Sequence, residues 1–134
     1  SVWPLKGGIG HVSMAFGQNV HPITGKWYIH KGMDYSTWRL GDSIIATANG
    51  RVVKADFDPS YGFNVIIQHK YGYYTRYAHM SRFNVQKGQS VSQGEIIGYV
   101  GNTGVTTGAH LHYEVHIGSE VVDPAKYISV KLSK

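Results

Sequence analysis

GAHLHYEVH, residues 108–116, sets histidines at 110, 112 and 116 with Leu111, Tyr113 and Val115 between them. Successive side chains of a β-strand point to opposite faces, so on a strand His110, His112, Glu114 and His116 share one face and the apolar residues pack behind them. Read outward from this stretch, similar short β-branched and aromatic runs recur: RVVKADF, FNVIIQH, YYTRYAHM and EIIGYVG, punctuated by Gly50, Gly62, Gly72, Gly88, Gly94, Gly98, Gly101, Gly104, Gly108 and Gly118. Strands separated by glycine turns at intervals of about 8–12 residues predict a mainly β fold, an antiparallel sheet forming a sandwich or open barrel-like core. Up to about Leu40 the pattern is less regular and reads as loops around short strands, and loops are where site residues tend to be carried. The one helix signal is DPAKYI, 123–128, with Asp123 as cap and Pro124 at the first helical position.

The chain has 134 residues, enough for one domain, 1–134, with its own apolar core. It has no cysteine, so disulfides and thiolate metal sites are excluded and any metal must be held by His, Asp or Glu. The formal charge of +5 favours partners that carry carboxylates or phosphates. Nucleic acid is not expected among them, because the 13 Lys and Arg are scattered, with no basic run and no nucleic-acid motif. No stretch approaches the roughly 18 apolar residues of a spanning helix, and SVWPLKGG has no basic region followed by an apolar one, so no membrane insertion by this domain is expected. A chain that starts with Ser is expected to be a domain cut from a longer exported protein.

Of the eight histidines, His30 stands four residues before Asp34 in WYIHKGMDYS. The two can converge on one ion if Gly32 lets the chain turn between them. The HxH at 110–112 places two imidazoles on one strand face about 6–7 Å apart, a spacing that suits one ligand and one neighbour better than two equal ligands. His79, in YYTRYAHM, can join from a neighbouring strand. A His, Asp, His set leaves the fourth tetrahedral position to water, the arrangement of a catalytic zinc, whose natural chemistry is amide hydrolysis. Two further histidines would then serve as general base and as donors to the oxyanion. Against this stands the plainer reading, in which these are satisfied core or surface histidines or a structural metal clip.

The segments FGQNVHPITG, HKGMD, NGRVVKA, YGFNVIIQH, YYTRYAHMS, VQKGQSVSQGEIIGYVGNTG, TGAHLHYEV and VDPAKYI, in that order, resemble the lysostaphin-type (LytM-like) zinc metallopeptidases, a family of peptidoglycan endopeptidases. The resemblance covers nearly the whole chain and implies long loops forming a substrate groove. It implies one zinc ion held by His30, Asp34 and His112, with His79 and His110 as the catalytic pair. Zinc-activated water would attack a peptide carbonyl, with His110 as base and His79 positioning the water or stabilising the oxyanion. The implied partner is the peptide cross-links of bacterial peptidoglycan, in the cell envelope or outside the cell. HPITG and GNTGVTTGAHLH resemble the members that cut D-alanyl cross-links more than those that cut glycyl bridges. A non-catalytic peptidoglycan-binding or amidase-activator module is the alternative, and it predicts missing ligands.

The other histidines receive lesser roles. His116, about 13 Å along the strand from His112, is too far to be a ligand and reads as a groove-wall or surface residue. His69 is expected to make a structural hydrogen bond, His21 to line the rim, and His11 to lie in a surface loop. Asn19 stands where relatives carry Arg, and YSTWRLGDS makes the loop after Asp34 bulky, with Trp38 and Arg39 as candidate groove residues. Tyr73, Tyr77 and Tyr113 are further aromatic candidates, although core packing is the default for strand aromatics.

Overall fold

The computed structural model describes residues 1–20, 23–106 and 108–128. In chain order the strands are β1 (His11–Met14), β2 (Gly17–Val20), β3 (Trp27–His30), β4 (Met33–Ser36), β5 (Ser43–Ile45), β6 (Gly50–Asp58), β7 (Gly62–Gln68), β8 (Tyr73–Phe83), β9 (Ser90–Val91), β10 (Ile96–Val100), β11 (Leu111–Ile117) and β12 (Glu120–Val122). The main sheet runs β1-β4-β11-β8-β7-β6-β9, with β12 beside β11, β10 beside both β5 and β8, and β2 and β3 forming a separate hairpin. All its pairings are antiparallel, and with β1 and β9 at its ends the sheet does not close into a barrel. The mainly β expectation holds, and the five runs picked out by alternation correspond to β6, β7, β8, β10 and β11. DPAKYI forms a single 3₁₀ turn, Pro124–Lys126, capped as expected by Asp123, whose carboxylate accepts from Ala125 N–H at 3.0 Å.

Local chemistry sets the turns. Between β6 and β7, the Asp58 carboxylate accepts from the backbone N–H of Ser60 and of Tyr61, both at 2.8 Å, an Asx-type turn that pre-forms the hairpin. The core is built from residues of alternating parity on the central strands: Tyr35 on β4, Ile67 on β7, Tyr77 on β8, and Leu111, Tyr113 and Val115 on β11. Each such aliphatic side chain contributes about 1.5–3 kcal/mol when removed from water. Four buried hydroxyls are satisfied internally. Tyr77 Oη accepts from Thr47 N–H (3.1 Å) and from Thr75 Oγ1 (2.8 Å), and Thr47 Oγ1 lies 2.8 Å from Tyr113 Oη. Tyr77 and Tyr113 are therefore core residues rather than groove aromatics.

Strand β8 departs from a regular ladder at one point. It pairs Tyr77 with Val65 and Met80 with Phe63, so three steps on β8 face two on β7. The extra residue is accommodated at His79, whose φ is +61°. This bulge re-aims a side chain that plain alternation would place on the Tyr77 face, toward the core. At the same place β8 exchanges its other neighbour, from β11 through Ala78 to β10 from Met80 onward. The backbone there costs on the order of 1 kcal/mol, tolerated because its N–H donates to Tyr61 O at 2.8 Å.

Candidate metal centre

Asp34 and His112 face each other directly across the β4–β11 ladder. Their register brings the HxxxD and HxH motifs together although 78 residues separate the two side chains in sequence. His30 closes β3, where it pairs with Gly17 of β2. One ligand atom from each of His30, Asp34 and His112 falls within 4.8 Å of the others. Asp34 Oδ1 lies 3.3 Å from His30 Nε2 and 2.8 Å from His112 Nδ1, while Oδ2 lies 3.6 Å from His110 Nε2.

The chain bends at Gly32, between His30 and Asp34, as expected, and the glycine serves a second purpose there. A Cβ there would sit 2.3 Å from Tyr113 O and 3.0 Å from both Glu114 Cγ and His112 Cε1. Only a residue without a side chain lets the β3–β4 connection lie directly on β11.

Each imidazole is oriented through its other nitrogen. His30 Nδ1 donates to Ala15 O at 3.0 Å, leaving Nε2 toward Asp34. His112 Nε2 donates to Glu114 Oε2 at 2.8 Å, leaving Nδ1 toward Asp34. His79 Nδ1 donates to Thr103 O at 2.7 Å, and His110 Nδ1 to Gly108 O at 2.8 Å, so both keep Nε2 available. These tautomers follow from the carbonyl and carboxylate partners, which only accept. The rings of His79 and His110 are 4.9 Å apart, and that of His79 is 5.9 Å from His112.

Electrostatics follow the same geometry. Burial alone would raise the Asp34 pKa, but hydrogen bonds from His112 and His30, with the charges of His110 and His112, hold it well below the usual carboxylate range. Burial opposes the charged form of His112, yet the hydrogen bonds to Asp34 and Glu114 and their charges raise it to about 9. Exchanging its Nδ1 proton for a cation preserves the Nε2–H bond to Glu114. Two imidazole nitrogens and a carboxylate at this spacing, with the outer nitrogens fixed, fit a zinc ion. Burial lowers His79 to about 4, the Thr103 carbonyl working against it and neighbouring His110 and His112 reinforcing it, so His79 is neutral at pH 7.

All five residues expected of the site are thus brought together, on β3, β4, β8, β11 and the approach to β11. A hollow of about 470 Å³ beside them is lined by Ser13, Met14, Asp34, Ser36, Trp38 and His110 among others. Trp38, 83% exposed, forms part of its wall, while Arg39 is turned to an ion pair with Asp42. A larger hollow, of about 630 Å³, is lined by Asn49, His69, Tyr73 and Tyr127 among others, and contains none of the five. Chemistry outweighs size here: convergent donors mark the smaller one as the candidate site.

The remaining histidines divide. His69 makes the expected structural bonds, to Asn49 O (2.7 Å) and Thr75 Oγ1 (2.8 Å). His11 lies on β1, not in a loop, its ring 5.0 Å from that of Trp38. His21 lies outside the described residues. His116 is more than surface: its Nε2 donates to Glu114 Oε1 at 2.8 Å. Asn19 donates to Ala15 O, the same carbonyl that orients His30. Sequence reasoning placed Glu114 on the right face without giving it a role, and missed Tyr61, whose hydroxyl donates to Glu114 Oε2 at 2.8 Å. Strand parity was the only available signal for the first, and there was none for the second.

Comparison with known proteins agrees with this architecture. The model of peptidase family M23 matches residues 28–124. The DD-carboxypeptidase/endopeptidase Mpg of Neisseria meningitidis is 42% identical over 113 residues, covering 84% of this chain and 26% of that protein. The peptidoglycan DD-endopeptidase ShyA of Vibrio cholerae is 40% identical over 109 residues, covering 81% of this chain and 25% of its own. The crystal structure of a zinc-containing peptidase from Vibrio cholerae superposes with a TM-score of 0.82 at 34% identity, over 90% of this chain and 37% of that one. The chain spans about a quarter of the length of the curated relatives it matches.

Proposed function

The chain belongs to peptidase family M23, and on that premise we propose that residues 1–134 act as one zinc-dependent endopeptidase domain that hydrolyses peptide cross-links of bacterial peptidoglycan. The observation that carries the proposal is the convergence of His30, Asp34 and His112 on one point with the rings of His79 and His110 beside it. His30, Asp34 and His112 would hold a single zinc ion. When bound, zinc supplies Lewis acidity toward a carbonyl oxygen and brings the pKa of a water down to about 7.

The protein's own residues supply the proton handling. His110, anchored through Nδ1–H, offers a basic Nε2 that takes the proton from the attacking water and returns it to the leaving amine. His79 is anchored the same way and neutral at pH 7, so its Nε2 accepts a hydrogen bond and orients the water. As an acceptor, it stabilises an oxyanion only after gaining a proton. The hollow walled by Ser13, Ser36 and Trp38 would receive the peptide. A net charge of +5 draws in cross-link peptides, which carry carboxylates.

The bond we propose is the D-alanyl cross-link rather than a glycyl bridge. It is supported by the HPITG and GNTGVTTGAHLH segments and by relatives named a DD-carboxypeptidase/endopeptidase, at 42% identity, and a peptidoglycan DD-endopeptidase, at 40%. The substrate puts the domain in the cell envelope or outside the cell. A non-catalytic binding or amidase-activator module is disfavoured, since such a module is expected to lack ligands and all five positions are filled.

The test is digestion of purified peptidoglycan of both cross-link types by the wild type and His110→Ala, with products identified and zinc measured by mass spectrometry. Zinc in both proteins and cleavage of the D-alanyl type by wild type alone is the expected result. Cleavage of glycyl bridges only would overturn the bond assignment, and zinc without cleavage by either protein would overturn the peptidase reading of this domain.

A further inference from the structure

Glu114 is 1% exposed and sits directly behind the proposed metal centre. A buried carboxylate needs partners, and it has them on both oxygens. Oε2 accepts from His112 Nε2 and from Tyr61 Oη, each at 2.8 Å, and Oε1 accepts from His116 Nε2 at 2.8 Å. Arg76 Nη1 stands 3.7 Å from Oε1, and its guanidinium lies 4.0 Å above the Tyr61 ring. Arg76 Nε is buried without a hydrogen-bond partner among the described residues.

This arrangement sets up a competition. Arg76 has an unsatisfied donor, Nε, and already forms a long ion pair with Glu114 Oε1 through Nη1, at 3.7 Å just outside hydrogen-bond distance. A carboxylate released to it would form a two-pronged pair, the strongest geometry open to these groups. His116 occupies Oε1 and Tyr61 shares Oε2, and together they keep Glu114 turned toward His112. Resting on the reading of His112 as a zinc ligand, we propose that Glu114 and His116 are positioning residues of the metal centre: Glu114 fixes His112 with Nδ1 toward the metal, and His116 keeps Glu114 from closing its long ion pair with Arg76 into a two-pronged one.

The consequence is a continuous chain of contacts, Asp34–His112–Glu114–His116, running from the metal centre to a third hollow, lined by His116, Val53, Ile66, Tyr74 and Arg76 among others. His116 touches neither the metal ligands nor the catalytic pair, and acts only through Glu114. Removing a carboxylate that orients a metal-binding histidine typically costs about 10–100-fold in metal affinity.

The experiment is zinc affinity by chelator competition, together with the visible absorption spectrum of the cobalt-substituted protein, for wild type, Glu114→Gln, His116→Ala, His116→Gln and His112→Ala. Glu114→Gln is expected to weaken zinc binding about 10–100-fold and to shift the cobalt bands. His116→Ala should weaken binding in the same direction by several-fold, and His116→Gln, which restores a donor near Nε2, should recover most of it. A purely structural role would lower the melting temperature of His116→Ala while leaving its zinc affinity and cobalt bands as in wild type, and that result overturns the proposal. Equal losses in His116→Ala and His116→Gln overturn it as well. If Glu114→Gln does not fold, the His116 pair decides, because His116 is only partly buried. Wild-type zinc affinity in His112→Ala would instead overturn the ligand assignment on which the proposal stands.

Discussion

Gly32→Ala is the sharpest test of how the centre is assembled, because it adds one methyl group midway between two proposed ligands. That methyl carbon would lie 2.3 Å from Tyr113 O, roughly 1 Å inside van der Waals contact. The carbonyl cannot retreat easily, since β11 is hydrogen-bonded to β4 on one edge and β8 on the other. The β3–β4 connection must therefore move, and it carries His30 at one end and Asp34 at the other. Overpacking of this kind costs about 1–3 kcal/mol, a fall in Tm of roughly 3–10 °C for a domain of this size. Metal–ligand distances tolerate only about 0.2 Å, so zinc affinity should fall at least about tenfold, which is about 1.4 kcal/mol. Gly25→Ala is the control. Gly25 has a positive φ of +70° but nothing within 4 Å of a built Cβ, so it should show a backbone cost of about 1 kcal/mol and unchanged zinc affinity. Thermal melts of the metal-free proteins and chelator competition read both quantities. Gly32→Ala with wild-type Tm and zinc affinity would refute the close-approach argument.

The remaining predictions concern ligands, protons and the polar core. Asp34→Ala and His112→Ala should lose zinc and activity together, whereas His79→Ala and His110→Ala should keep zinc and lose turnover by about 10²–10⁴-fold, measured by mass spectrometry and product release. Metal binding must displace the His112 proton, whose pKa is raised to about 9. Apparent zinc affinity should therefore fall about tenfold for each pH unit below that value, and an affinity flat from pH 8 to 6 would contradict it. In the metal-free protein the raised His112 pKa contributes stability that is full below 6.5 and lost as pH rises toward about 9. The lowered Glu114 pKa contributes stability present above 4.5 and lost in acid, and His79, lowered to about 4, costs stability as pH falls below 6.5, so chemical denaturation should show a maximum near pH 6.5. Tyr77→Phe strands the Thr47 N–H in the core, while the Thr75 hydroxyl keeps His69 as a partner, and should destabilise by about 1–3 kcal/mol in denaturant titrations without altering zinc affinity.

How much of this was legible in the sequence depends on whether the information is local. The parity of LHYEV is a property of five consecutive residues, and β11 follows it, with Leu111, Tyr113 and Val115 buried in the core and Glu114 bonded to both His112 and His116. The family was legible because its motifs are contiguous. The β8 bulge was not, because a bulge is a two-against-one count between strands, and nothing within YYTRYAHM distinguishes it from a straight run. Gly32 was legible only in part: the bend at it follows from the local sequence, while the need for a bare backbone arises from β11, some 80 residues away. Tyr61 and Arg76 meet Glu114 only through the folded sheet. Distance from His112 argues soundly against His116 as a ligand and leaves it a groove-wall or surface residue, but says nothing about the carboxylate of Glu114 standing between them.

Tyr61 gives the centre a kinetic property. Its carbonyl holds the His79 N–H and its hydroxyl holds Glu114 Oε2, so one turn residue restrains both the proposed catalytic side and the support of the proposed ligand side. The amides flanking the bulge are locked into a ladder, but that of His79 is held by a turn carbonyl. Its hydrogen exchange is thus expected to follow opening of the β6–β7 turn rather than global unfolding. Any opening of that turn would release the grip on His79 and the grip on Glu114 together, because both run through Tyr61.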